Sequence, residues 1–301
     1  MHTPVIAADS DQGPREHQQD AYAHQVADAS GGWRASLADG FGKHPRTREA
    51  AVLAAVTAIE TGGEAMDAVL AATRAISSAH PGADCVMVHA RQDAPDDPID
   101  VAWVGDCRLW TWSPGDGLRR HTHDHTFGQS LRDRWVPDDL ARAGDHALTT
   151  SVATAIPTDI GTTTAPPAEL VLFTTDGVHD YVDELLLAEL VTDHAHTPDV
   201  LAQVLVDAAR EAESGDNATA MVIRLPLPES PYLSRQELLL DGLAHVDGFD
   251  DDQPVLRRLA EDRAVGIACD RFLLRDGTTY WCTKDSDHTD HHVSWHGVTW
   301  T

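Results

Sequence analysis

Five acidic fragments follow one another along this chain. They are Arg15-Glu16-His17-Gln18-Gln19-Asp20, Asp39-Gly40-Phe41-Gly42, Gly105-Asp106-Cys107-Arg108, Asp176-Gly177-Val178-His179-Asp180 and Gly215-Asp216-Asn217-Ala218-Thr219. Asp39 and Asp176 each close an apolar stretch, Ser36-Leu37-Ala38 and Val171-Leu172-Phe173-Thr174-Thr175. A carboxylate at the end of an apolar strand is costly unless a cation or a hydrogen-bond network compensates it. Carboxylates joined by a backbone carbonyl are the ligands that Mg²⁺ and Mn²⁺ prefer. Gly40 has no side chain, so its carbonyl can approach an ion that Asp39 also binds. Asp180 lies four residues after Asp176, so a helical turn starting there would put both carboxylates on one side. A guanidinium such as that of Arg15 matches two phosphate oxygens at once. Together these residues point to metal-dependent hydrolysis of phosphate esters.

Each fragment alone has an ordinary reading. Asp116-Gly117, Asp241-Gly242, Asp247-Gly248 and Asp276-Gly277 are also present and read as turns. Arg15 by itself would be a solvated surface residue, and Asp106-Cys107-Arg108 a hairpin turn with a weak local ion pair. His121, His123 and His125 alternate in a way that suits one strand face, and Cys282 with His288, His291, His292 and His296 could form a zinc site. Neither set has a standard zinc spacing, so exposed histidines are the simpler reading. Only the five acidic fragments occurring together point beyond these ordinary readings.

The elements that would carry these residues change period along the chain. Short strands are expected at Val5-Ala8, Ala21-Val26 and Trp33-Ala38. Apolar residues at helical spacing follow over 45–59 and 64–78, stopped by Gly62-Gly63 and Pro81-Gly82. Strands return at 84–90, 99–105 and 108–112, then at 147–155 and 170–174. The polar stretch 122–144 has room for short helices over 129–134 and after Pro137. Helices are expected over 184–190 and 198–212, and a last strand over 218–225. Blocks of strands and blocks of helices indicate an α+β layered domain rather than a doubly wound sheet. Residues 1–226 form this domain, 227–231 a proline-rich linker, and 232–301 a small C-terminal α+β unit with a hairpin near Arg275-Asp276-Gly277-Thr278.

The chain has 301 residues, 42% of them hydrophobic, with a formal net charge of −27. Such a field disfavours nucleic acid and anionic membrane surfaces as partners. No apolar run approaches the ~20 residues of a membrane span, and no secretory signal is visible at the start. The four cysteines, Cys85, Cys107, Cys269 and Cys282, form no C-x-x-C pair. A cytoplasmic setting is expected.

The ordered set R-x-x-x-Q-D, D-G-x-G, G-D-x-R, D-G-x-x-D and D-N-x-T resembles the PP2C (PPM) family of metal-dependent Ser/Thr protein phosphatases, of bacterial type. The resemblance spans about residues 3–225 and includes His123-Asp124-His125-Thr126. It implies a sandwich of two antiparallel sheets flanked by helix pairs. It implies that a metal-activated water hydrolyses phosphoserine and phosphothreonine on proteins that a Ser/Thr kinase has modified. It implies two Mn²⁺ or Mg²⁺ ions and a weaker third. On that mapping Asp39 bridges two ions, the Gly40 carbonyl binds one, and Asp176 and Asp216 bind the other. Asp20 acts through metal-bound water, Asp106 and Asp180 hold the third ion, and Arg15 holds the substrate phosphate. Phe41 stands where animal members carry a proton-donating histidine, and Lys43 replaces a usual glycine. His44 matches the family's histidine and takes the proton-donor role. Gln18 replaces a common asparagine. These departures keep an alternative open, a PPM-fold regulatory or binding module with little or no activity.

Overall fold

The computed structural model describes residues 3–27 and 31–225 and the backbone of four short strands beyond them. The chain divides into two compact units, Met1–Pro228 and Glu229–Thr301. In the first unit the elements run β1 (Val5–Asp11), β2 (Asp20–Val26), β3 (Trp33–Gly40), α1 (Thr47–Glu60), α2 (Ala65–Ala79), β4 (Cys85–Gln92), β5 (Ile99–Val104), β6 (Arg108–Ser113) and β7 (Gly117–Arg120). They continue α3 (Phe127–Arg132), α4 (Asp138–Ala141), β8 (Gly161–Ala165), β9 (Leu170–Thr174), α5 (Asp176–His179), α6 (Glu184–His194), α7 (Pro198–Glu211) and β10 (Ala218–Arg224). In the second unit, β11 (Phe272–Arg275) pairs antiparallel with β12 (Thr278–Trp281), and β13 (His292–Val293) with β14 (Thr299–Trp300). The β11–β12 pair lies where a hairpin was expected. The expected linker, the tail helices and the Cys282-containing histidine cluster lie outside the described residues, apart from the backbone of His292. No helix among the described residues is long and apolar enough to cross a membrane.

Two five-stranded antiparallel sheets build the first unit, ordered β1-β10-β9-β6-β7 and β2-β3-β4-β5-β8. Three apolar layers hold it together. Trp33, Leu37, Val88, Phe173, Met221 and Ile223 fill the space between the sheets. The alanine-rich inner faces of α1 and α2, including Ala51, Ala55 and Ala72, pack with Met87 and Val104. On the other side Leu187, Leu201 and Leu205 of α6 and α7 cover Leu172 and Val222. Alternation along a strand explains the split: Leu37 faces the central layer, whereas Ala38 faces α1 and α2. The result is a helix–sheet–sheet–helix sandwich.

Two local expectations change. Residues 147–155 do not make a strand; Leu148 forms a single bridge with Thr126, and Val152–Thr154 is a 3₁₀ turn. Asp84 holds that turn, accepting hydrogen bonds from Ser151 Oγ (2.6 Å) and the Ala153 amide (2.9 Å). The edge strand is instead Gly161–Ala165, whose Thr-rich, half-exposed sequence carries little apolar signal.

The β5–β6 turn requires a glycine. Gly105 has φ +95°, and a Cβ there would lie 2.0 Å from Val86 Cγ1. Gly105→Ala is expected to lower the unfolding free energy by about 3 kcal/mol through backbone strain and steric overlap. Urea denaturation checks this, with a lower midpoint at an unchanged slope as the expected outcome.

Candidate metal centre

Sheet register begins to gather the acids. β2 and β3 pair so that Asp20 and Asp39 stand directly opposite each other. Asp106 follows the end of β5, Asp176 lies just past β9 and opens α5, and Asp216 sits just before β10. All but Asp20 line one cleft of about 350 Å³, together with Gly40, Asp180, Arg15, Phe41, Gly42, His146 and Tyr181. Asp20 is 4% exposed and backs the cleft from beneath Asp39. The single turn of α5 places the Asp180 amide on the Asp176 carbonyl (3.0 Å), so the two carboxylates share one side. Close contact with β10 demands glycine after Asp176, because a Cβ on Gly177 would lie 1.9 Å from the Asn217 carbonyl oxygen.

Hydroxyls and amides from both sheets hold the frame. Thr219 Oγ1 (2.6 Å) and Thr175 Oγ1 (3.1 Å) donate to Asp20 Oδ2. Thr175 Oγ1 also accepts the Thr219 amide (3.0 Å), which ties β9 to β10. Buried Asn217 staples the Arg15 loop: its Nδ2 donates to the carbonyls of Gln12 (2.8 Å) and His17 (3.1 Å), and its Oδ1 accepts the Gln19 amide (2.8 Å). Gln18 Oε1 accepts the Asp20 amide (2.9 Å). The asparagine and threonine of D-N-x-T thus position the site, a role the sequence reading did not give them. A three-bond staple between positions 200 residues apart leaves no local sequence signal.

Two arginines meet the acids. Arg15 pairs with Asp216 and donates from Nε to the Gly215 carbonyl (3.0 Å). Its guanidinium therefore stays at the cleft mouth, half-exposed, touching one of the expected ion ligands. Arg108 is gripped through Nε and Nη2 by buried Asp124, at 2.7 Å for the shortest contact, and lies 3.9 Å from Asp180. Asp124 also takes Arg120, whose guanidinium sits 6.0 Å over the Trp110 ring.

Burial dominates the electrostatics. Desolvation, then the charges of Asp20, Asp176, Asp106 and Asp216, drives Asp39 well above the usual carboxylate range. Asp106 rises well above it for the same two reasons. Burial lifts Asp20 to about 6 although its threonine partners pull the other way. Burial, then Asp216, Asp180 and Asp20, lifts Asp176 to about 7. Asp180 is raised by burial, against the opposing pull of Arg108. Asp20 Oδ1 and Asp176 Oδ1 are sealed from solvent without a hydrogen-bond partner. Close, mutually repelling carboxylates, two of them with orphaned oxygens, in one cleft with Gly40, fit a hard divalent cation.

The expected residues do not all converge. His44 is absent from the cleft lining; its Nδ1 accepts the Arg46 amide (3.2 Å), and its ring faces Gly82. The segment leading into α1 carries it away, and no proton-donor position results. His146, which the sequence reading passed over, lines the cleft instead. The histidines of the 121–125 stretch have separate partners: His121 meets Thr111 Oγ1 (2.7 Å), His123 meets Asp133 (3.0 Å) and His125 Nδ1 accepts the Gly105 amide (3.3 Å). They form no common site. His179 is buried on Thr174 Oγ1 (2.8 Å) and kept neutral by burial.

No family model and no curated sequence matches this chain. Solved structures do. The PPM Ser-Thr phosphatase MsPP from Mycobacterium smegmatis, determined with cacodylate, is 26% identical with a TM-score of 0.60, covering 74% of this chain and 98% of that one. The S. agalactiae serine/threonine phosphatase is 20% identical with a TM-score of 0.65, covering 74% of this chain and all of that one (100%). The catalytic domain of the phosphatase PstP, solved with two manganese ions, is 23% identical with a TM-score of 0.58, covering 73% of this chain and 97% of that one. The fold is that of the bacterial PPM Ser/Thr phosphatases.

A buried acid whose folded-state pKa is raised destabilises the fold while ionised. That penalty is complete above the folded pKa and is relieved as pH falls toward the unfolded value of ~3.9. With Asp20 near 6 and Asp176 near 7, the metal-free protein is expected to gain stability as pH drops from 8 to 5. Urea midpoints in chelator at the two pH values check the sign, and Mn²⁺ should flatten the difference.

Proposed function

We propose that the cleft hydrolyses phosphoserine and phosphothreonine monoesters on proteins, with Mn²⁺ or Mg²⁺ as cofactor. The single observation that carries this reading is the gathering of Asp39 and Asp176 into one small cleft with Asp106, Asp180 and Asp216, beside an arginine. In this reading Asp39 and the Gly40 carbonyl would hold one ion, Asp176 and Asp216 with Asp39 a second, Asp20 would act through water, and Asp106 and Asp180 would hold a third. Divalent cations bound there would supply a polarised water for in-line attack on phosphorus and positive charge for the phosphate oxygens.

The chain's own part is orientation. Thr175 and Thr219 hold one oxygen of Asp20 across the strand pair from Asp39, and its other oxygen has no hydrogen-bond partner. Arg15 is exposed enough to exchange its Asp216 contact for two phosphate oxygens. Phe41 supplies an apolar wall, and with Leu148 it limits water around the leaving serine oxygen. The cleft of about 350 Å³ suits a phosphorylated side chain rather than a folded surface entering whole. The partners are phosphoproteins produced by a Ser/Thr kinase, and the expected setting is the cytoplasm.

Asp39→Asn is expected to reduce Mn²⁺-dependent phosphopeptide turnover by about 10³-fold or more, roughly 4 kcal/mol of barrier, while the protein stays folded. Arg15→Ala should raise KM by about tenfold with a smaller effect on kcat. Steady-state phosphate release checks both. A folded wild-type protein that binds Mn²⁺ and releases no phosphate from phosphopeptides would favour a PPM-fold binding module instead.

The unit Met1–Pro228 contains all the described lining residues of the cleft and the three apolar layers. We expect a truncation after Pro228 to fold and to hydrolyse a small phosphate ester. A folded truncation without activity would assign part of the active site to the tail.

A further inference from the structure

We propose that His146 is a direct nitrogen ligand of the third cation, the one assigned to Asp106 and Asp180, with Asp176 also within reach of it. It thereby gives the cleft a preference for Mn²⁺ over Mg²⁺. The inference rests on the cleft being a divalent-cation centre, and it adds a residue that the acidic motifs do not contain.

The geometry is specific. One donor atom from each of His146, Asp176 and Asp180 lies within 4.8 Å of the other two. His146 Nδ1 is 3.8 Å from Asp180 Oδ2. Ligands at ~2.1 Å from one octahedral ion stand about 3 Å apart when adjacent and about 4.2 Å when opposite. A small inward movement of the three groups would therefore close a shell around one ion. Asp176 also carries one oxygen, Oδ1, that is sealed from solvent and has no hydrogen-bond partner.

The segment carrying His146 is held on both sides. Arg132 grips the Asp145 carboxylate with Nη1 (2.5 Å) and Nη2 (2.8 Å). On the other side the Phe127 amide donates to the Ala147 carbonyl (2.8 Å), and Leu148 bridges Thr126. Gly128 and Gly144 pack so closely there that a Cβ on Gly144 would lie 2.7 Å from the Gly128 amide. The backbone at 145–148 is fixed while the imidazole itself is exposed and can rotate. His146 thus couples the α3–α4 region, through Arg132 and Asp145, to the ion site.

Ligand chemistry gives the selectivity. Mg²⁺ is a hard ion that favours oxygen and retains its waters. Imidazole nitrogen binds the later first-row ions better, and Mn²⁺ accepts it more readily than Mg²⁺. An oxygen-only shell would distinguish the two ions less.

Pulsed EPR on the full chain loaded with Mn²⁺ tests this directly. The wild-type spectrum is expected to show hyperfine coupling to a directly bound ¹⁴N. His146→Ala should lose it, and calorimetry should show one Mn²⁺ site weakened by about tenfold or more with Mg²⁺ binding nearly unchanged. His146 is exposed, so the variant is expected to retain wild-type circular dichroism. Mn²⁺ bound with no nitrogen coupling, or coupling that survives in His146→Ala, would overturn the inference while leaving the metal centre intact. A chain that binds no Mn²⁺ would overturn the metal reading and this inference together.

Discussion

Carboxylates from distant parts of the chain are buried against one another at one end of the sandwich, and most of the local structure there answers that constraint. Asp39 and Asp20 face each other across a strand pair, with Asp176, Asp106 and Asp216 close enough to raise Asp39 electrostatically. Burial removes water that would screen them, and like charges then oppose ionisation of the whole group. A fold that kept this arrangement with no compensation would be losing stability at neutral pH. The network of hydroxyls around Asp20, the arginines and the orphaned carboxylate oxygens become intelligible as parts of one balance that the proposed divalent cation would complete.

The compensation is uneven. Asp20 is satisfied on one oxygen by two threonines from β9–α5 and β10, so it is anchored to the opposite sheet. These bonds link the two sheets. Asp216 is covered by Arg15, and Asp180 feels Arg108 at longer range. Asp106 and Asp39 receive no arginine pair among the described residues. Arg108 is itself committed to Asp124, with Arg120 on the same carboxylate. Its contribution to Asp180 is a fixed field rather than a mobile partner, because a bidentate guanidinium pair resists rotation.

The side of the cleft away from the sheets is made differently. Phe41 lines the cleft with an apolar ring, and His44 turns toward Gly82. His146 also lines the cleft, on a segment pinned by the Arg132–Asp145 pair. The centre therefore joins a rigid sandwich to a loop-built segment. The two can vary independently, since the acids depend on strand register and His146 depends on local packing of α3 and α4.

Much of this was legible in the sequence because it depends on short-range pattern. Strand-ending Asp-Gly pairs, the helical period of α1, α2 and α7, and the four-residue step from Asp176 to Asp180 are local properties that chain geometry alone constrains. The acidic motifs named Asp20, Asp39, Asp106, Asp176, Asp180 and Asp216 before any contact was known. Weakly patterned segments were not legible: β8 is a half-exposed Thr-rich edge held by pairing to β5, and 147–155 reads as a strand yet is shaped by Asp84. Three further features belong to the tertiary structure. Asn217 staples a loop about 200 residues away, Arg15 meets Asp216, and His146 reaches the Asp176–Asp180 pair. Each depends on which strand ends are neighbours in space. The sequence determined which residue types could bind an ion and where the chain would turn. Packing of the two sheets decided which of them share a cleft, because burial and distance, not order along the chain, set the strength of electrostatic and hydrogen-bonded contacts.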